Sequence, residues 1–300
     1  MKLVALSPAN PLTQREIISE CASIRAWRVP RLLHLWHLTS LDAPTVAVVW
    51  TLAFAWAAGV HLDRWVLVLL ASGTWTVYIG DRLLDAQRAI RSGRLDTLRE
   101  RHYFHWRHRR LLVPIACATA AIAADLVAQW MPVAVRSRDS VLATAALIYF
   151  SGVHSAIRFP DWLRKLVSKE LLVGLLFTAG CAAPTLARLH SVRWPFFVGL
   201  IFFVSLAWLN CSAIESWESS MRQTTVSLHG FVLGAVGLAA SGVFLLIEPR
   251  ASALVLFAAI SALLLCLLDR TRIRISPLTL RTLADLVLMT PLVLVILGAR

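Results

Sequence analysis

The chain has 300 residues, 58% of them hydrophobic and only 16% charged, with a mean hydropathy of +0.69. Soluble chains run at roughly 45–50% apolar and about 25% charged, so two soluble domains are excluded and a polytopic membrane protein is expected. The net charge of +13 forms no compact basic domain and lies in no nucleic-acid motif, which leaves membrane lipid and phosphate, not nucleic acid, as the expected partners.

Residues 1–42 are polar and mixed, with no apolar core leading to a small-residue cleavage site, and are expected to form a cytoplasmic tail. Within it, 13–41 mixes Ile, Leu, Trp, Arg and His in a manner suited to an amphipathic helix on the membrane surface. Nine apolar runs follow, at 43–62, 65–85, 111–131, 140–159, 169–187, 194–218, 228–247, 251–268 and 283–298. They predict one all-α domain over 43–300, a bundle of nine transmembrane helices. With the N-terminus inside, 23 of the 30 Lys and Arg fall in inner segments, so the positive-inside rule makes the N-terminus cytoplasmic and the C-terminus external. The five cysteines are far apart and read as small buried hydrophobes.

The second run, directed inward, ends in Gly80-Asp-Arg-Leu-Leu-Asp-Ala-Gln-Arg88. At 1.5 Å per residue Asp81 and Asp85 lie about 24 and 30 Å from Trp65, near the inner edge of the hydrocarbon. Their four-residue spacing puts both on one helix face. The sixth run, also inward, ends with Asn210, Glu215 and Glu218, the glutamates three apart on one face. Glu170 opens the fifth run and Asp285 lies in the inner half of the ninth. Carboxylates gathered at one membrane face suit Mg²⁺, which takes one or two carboxylates, retained waters and substrate phosphates. The arginine-rich stretch from Arg88 to Arg110 is placed to neutralise phosphate charge. Within that stretch, 101–108 carries His102, His105 and His108, and reads first as a basic aromatic helix at the headgroups.

These residues carry a resemblance to the UbiA superfamily of intramembrane prenyltransferases, which have nine helices and aspartate motifs at the inner ends of the second and sixth. Asp81-Arg-Leu-Leu-Asp85 is similar to the Asp-x-x-x-Asp core of the first motif, and Thr97-Leu-Arg-Glu-Arg101-His to the Arg-Thr-x-x-Arg-Pro that follows. Phe159-Pro-Asp-Trp-Leu-Arg-Lys165 resembles the family's Tyr-Pro-x-x-Lys-Arg before helix five. The sequence departs from the pattern where Val77 and Tyr78 replace Asn-Asp, and where the second motif has no aspartate. The resemblance implies Asp81, Asp85, Glu215 and Glu218 as catalytic, Mg²⁺-holding residues. Arg88, Arg101, Lys165, Lys169 and Asn210 are implied as contacts to an isoprenyl diphosphate. It further implies transfer of the isoprenyl group to a lipophilic or aromatic acceptor, in the cell (inner) membrane with the site facing the cytoplasm. Two alternatives remain: a terpene cyclase with no acceptor, and a non-catalytic lipid- or partner-binding protein of the same fold.

Overall fold

The computed structural model describes residues 30–93, 100–154, 168–189, 191, 194–218 and 225–298. Among these residues the regular elements are all helical. In chain order they are α1 (Arg31–Leu38), α2 (Asp42–Ala58), α3 (Arg64–Arg91), α4 (Glu100–Arg107), α5 (Arg109–Gln129) and α6 (Val133–His154). There follow α7 (Lys169–Leu186), α8 (Trp194–Glu218), α9 (Val226–Leu245), α10 (Pro249–Thr271), α11 (Pro277–Val287) and α12 (Leu292–Gly298). Among the described residues, six helices are long and apolar enough to cross a membrane, α5, α7, α8, α9, α10 with its 3₁₀ turn, and α11 with α12, and a seventh span is added if the bent pair α1 and α2 is one. The chain is a multi-pass membrane protein. Exposed apolar side chains such as Ile115 and Ile122 on α5 and Phe231, Val232 and Val236 on α9 give the bundle the outer surface that lipid requires.

α2 packs against α3, α7, α10, α11 and α12, and its sequence explains that central place. It is apolar around its whole circumference, as a helix buried on all sides must be. Trp50, Ala53 and Phe54 are fully buried. Trp50 stacks on Phe203 of α8 at 4.0 Å between ring centroids, and Phe54 meets Phe203 edge-on at 5.5 Å. The helix ends at Gly59, whose φ of 67° is the left-handed cap that glycine adopts without strain. At its other end Ser40, also left-handed at φ 55°, turns the chain sharply, so that α1 lies at 89° to α2. Eight residues cannot cross a bilayer. α1 packs on α4 and α11; of the surface helix expected over 13–41, residues 13–29 lie outside the described residues.

Three apolar runs differ from their predicted form: the one expected at 140–159 starts seven residues earlier, as α6 at Val133. α3 continues six residues past Asp85, carrying Arg88 and Arg91 beyond the apolar segment. The run expected at 283–298 starts at Pro277 and breaks over 288–291, before α12. Pro291 has no N–H and its ring crowds the preceding turn. The carbonyls freed by the break find donors across the bundle. Trp50 Nε1 donates to the Leu288 carbonyl at 2.9 Å and Ser261 Oγ to that of Val287 at 2.8 Å. A broken helix is tolerated in a bundle on those terms.

Candidate functional site

α3 and α8 bring their predicted acidic ends to one cavity of about 610 Å³, together with residues of α1, α2, α4, α7 and α11. Asp81, Asp85 and Arg88 border it from α3, Arg101 from α4, Lys169 and Glu170 from α7, and Asn210 and Glu215 from α8. Thus most of the residues expected at the site converge, although they are scattered along the chain. Lys165 falls outside the described residues. Apolar side chains also line the cavity, among them Val46, Val173, Phe177, Ile214 and Leu288. Tyr78 lines the cavity, and its ring lies 5.7 Å from the Arg82 guanidinium. Trp208, by contrast, packs edge-on against His229 at 5.3 Å and is not part of the lining.

Charges of both signs meet at the rim. Arg82 lies 3.6 Å from Asp81, and His102 Nε2 lies 3.9 Å from Asp85. Side chains of Asp81 and Asp85 are 35% and 42% exposed, so both remain accessible from the cavity while held on one face of a long helix. Glu218 has a different place. It is buried, forms an ion pair with Arg281 of α11 and lies 3.9 Å from Arg101. Glu215 borders the cavity and Glu218 does not.

The histidines of α4 are not headgroup residues as expected. His102 and His105 are buried; His108, which follows α4, is exposed, and its Nδ1 lies 2.9 Å from the Phe104 carbonyl. His105 Nδ1 lies 2.7 Å from the Arg101 carbonyl and its Nε2 is 3.4 Å from Ser40 Oγ. Burial pushes the His105 pKa below its ordinary value, and the charges of Arg82 and Arg101 act in the same direction. The ring pins α4 to the turn between α1 and α2.

A second polar cluster was not foreseen in full. His37 of α1 places Nδ1 2.7 Å from Asp42 Oδ2 and 3.1 Å from Asp285 Oδ2. Asn210 Nδ2 donates to Asp285 Oδ1 at 3.4 Å, and Ala43 N–H donates to Asp42 Oδ1 at 2.9 Å. Burial alone would lower the His37 pKa, but hydrogen bonds to Asp285 and Asp42 and their charges overcome it and hold it up to about 9. Among the described residues these three are the group of at least three acidic, thiol or imidazole side chains whose ligand atoms lie within 4.8 Å of one another. Asp81, Asp85 and Glu215 do not form such a group, although they share the cavity. His37 and Asp42 lay at the seam between the expected tail and the first apolar run. The one signal available was a carboxylate at the start of an otherwise apolar inner segment.

No protein-family model matches the chain, and neither the curated proteins nor the solved structures yield a match. The lining joins cations, carboxylates and apolar side chains in one space, and that combination fits an amphiphile with an anionic, phosphate-bearing head and a greasy tail.

Proposed function

We propose that the protein binds an isoprenyl diphosphate at this cavity and transfers the isoprenyl group to a lipophilic acceptor within the membrane. One observation carries the reading: Asp81, Asp85, Arg82, Arg88, Arg101 and Lys169 line one cavity together with apolar side chains such as Val173, Phe177 and Leu288. The donor set suits Mg²⁺, because two partly exposed carboxylates leave most coordination positions to water and phosphate oxygens. When bound, Mg²⁺ would neutralise charge developing on the departing diphosphate.

The chain's own residues supply the remaining functions in this proposal. Arg88, Arg101 and Lys169 hold and orient the diphosphate, since guanidinium groups match phosphate oxygens in pairs. Phe177, Val173 and Leu288 receive the first carbons of the tail and exclude water from the reacting bond. The Tyr78 ring lines the cavity and lies 5.7 Å from the Arg82 guanidinium, and in this proposal its face stabilises an allylic cation. Nine crossings form the bundle, with α2, α3 and α6 added to the six apolar spans. The cavity then opens to the cytoplasm.

A second reading is favoured by Glu218. Its charge is taken up by Arg281 and Arg101, leaving Glu215 as the acid that α8 presents to the cavity. Such a site could hold a phosphate-bearing lipid without reacting with it.

Binding of a labelled isoprenyl diphosphate to the purified protein tests the proposal. Mg²⁺-dependent binding is expected, weakened at least about tenfold by Asp81→Asn or Asp85→Asn, as loss of one charge-assisted contact predicts. Well-folded protein that binds no chain length overturns it. Binding without turnover, across a panel of acceptors and in their absence, supports the non-catalytic reading; a product formed without acceptor indicates cyclisation.

A further inference from the structure

We propose that His37, Asp42 and Asp285 form a site for a first-row divalent cation, of which Mn²⁺ is the best match. The site is separate from the carboxylates of α3, and it does not depend on prenyl transfer. It would tie α1 and α2 to α11 at the side of the cavity.

The geometry is that of three ligands around a shared point. Two carboxylate oxygens, from different helices, approach a single imidazole nitrogen at 2.7 and 3.1 Å. One N–H cannot point at both with good linearity. A six-coordinate cation with ligands at about 2.1 Å sets adjacent ligand atoms about 3 Å apart. One ligand atom from each of the three residues lies within 4.8 Å of the other two. The two negative charges of the carboxylates exceed the one positive charge that an imidazolium can offer, whereas a divalent cation matches both.

The surroundings agree. Each carboxylate has its outer oxygen held by a donor, Ala43 N–H for Asp42 and Asn210 Nδ2 for Asp285, and the inner oxygens are thereby directed at His37. Outer partners of this kind orient metal ligands. Independently, Asn210 is 6% exposed, and its carbonyl oxygen has no hydrogen-bond partner. It lines the same cavity beside Asp285 and offers a fourth oxygen, while the cavity supplies an entry path and room for waters. An imidazole nitrogen disfavours Mg²⁺, and the donor set holds no thiolate to favour a soft metal. His37 Nε2 is buried without an acceptor, which holds equally for a metal-bound ring and for an imidazolium.

The test uses the full-length protein, stripped with chelator, loaded with Mn²⁺ and desalted, with no diphosphate present. Metal per chain is measured by mass spectrometry, and pulsed electron paramagnetic resonance reports any nitrogen coupling to Mn²⁺. One retained Mn²⁺ per chain with a nitrogen coupling is expected, both in the wild type and in the Asp81→Asn/Asp85→Asn variant. His37→Gln should abolish the coupling, and Asp285→Asn should weaken retention at least tenfold. Both variants are checked for monodispersity, and the wild-type spectrum stands without them. No retained Mn²⁺ in the wild type overturns the proposal in favour of an imidazolium between two carboxylates. Retention without nitrogen coupling, or retention that depends on Asp81 and Asp85, overturns it too. The outcome is independent of diphosphate binding, so this site and the proposed function can fail separately.

Discussion

Glu215 and Glu218 leave α8 three residues apart, and their charges meet different surroundings. Glu218 is enclosed by Arg281 and Arg101, while Glu215 is exposed at the cavity. Removing one member of a buried pair leaves the other charge without compensation, at a cost of about 3–5 kcal/mol. Glu218→Gln should therefore lower the unfolding temperature in detergent markedly, whereas Glu215→Gln should stay within about 0.5 kcal/mol of the wild type. If both behave alike, Glu218 has no such structural role. The helical wheel could group these glutamates on one side of α8. It could not say that an arginine 63 residues further along would claim one of them.

His105 makes a pH prediction at the same scale. Its folded pKa lies below the ordinary value of 6.5 because the ring is buried, with Arg82 on α3 and Arg101 on α4 opposing its charge and Asp42 on α2 favouring it. The unfolded chain therefore binds the proton more readily. The stabilising contribution is complete above pH 6.5 and is lost as the pH falls below it toward the lowered folded value. Thermal unfolding between pH 8 and 5 should show a steeper acid loss for the wild type than for His105→Gln. Parallel curves would exclude His105 as the source.

Among the elements, α9 and α10 form the closest pair, and small residues explain it. Gly230, Gly234 and Gly237 lie along the buried side of α9. A Cβ at Gly237 would come 2.7 Å from the Ala259 Cβ, an atom that cannot swing aside, whereas one at Gly242 would meet nothing within 4 Å. Gly237→Ala should cost about 1–3 kcal/mol by overpacking, and Gly242→Ala should be neutral or slightly stabilising, since alanine favours helix. Equal effects on thermal stability would mean that the helix pair is looser than its contacts indicate. Element positions were legible because apolar length and periodicity act locally: α8 matches its predicted run end to end. The break at 288–291 was less so. Pro291 marked it, but bundle helices tolerate proline, and the donors that permit the break, Trp50 and Ser261, come from elsewhere in the chain. The same limit hid the His37 cluster, whose members are joined by folding and share no sequence spacing.

The whole molecule has two chemically different ends. α3 has 28 residues and so separates them by about 42 Å. At one end lie the cavity, Ser92 and the dense arginines of α3 and α4. At the other, Asp63 pairs with Arg188 at 2.8 Å, and a smaller hollow of about 330 Å³ is bordered by Ser191, Glu248 and Arg250. The excess of positive charge at the cavity end predicts that this end faces the cytoplasm. With the five native cysteines replaced, a membrane-impermeant maleimide applied to intact cells should label Ser191→Cys and spare Ser92→Cys until the membrane is permeabilised. This orientation bears on the proposed function, under which a charged diphosphate from the cytoplasm would reach the carboxylates of α3 only if the cavity opens there. The opposite labelling pattern would invert the molecule. The cavity would then open outside the cell, and the proposed transfer from a cytoplasmic diphosphate could not be its function.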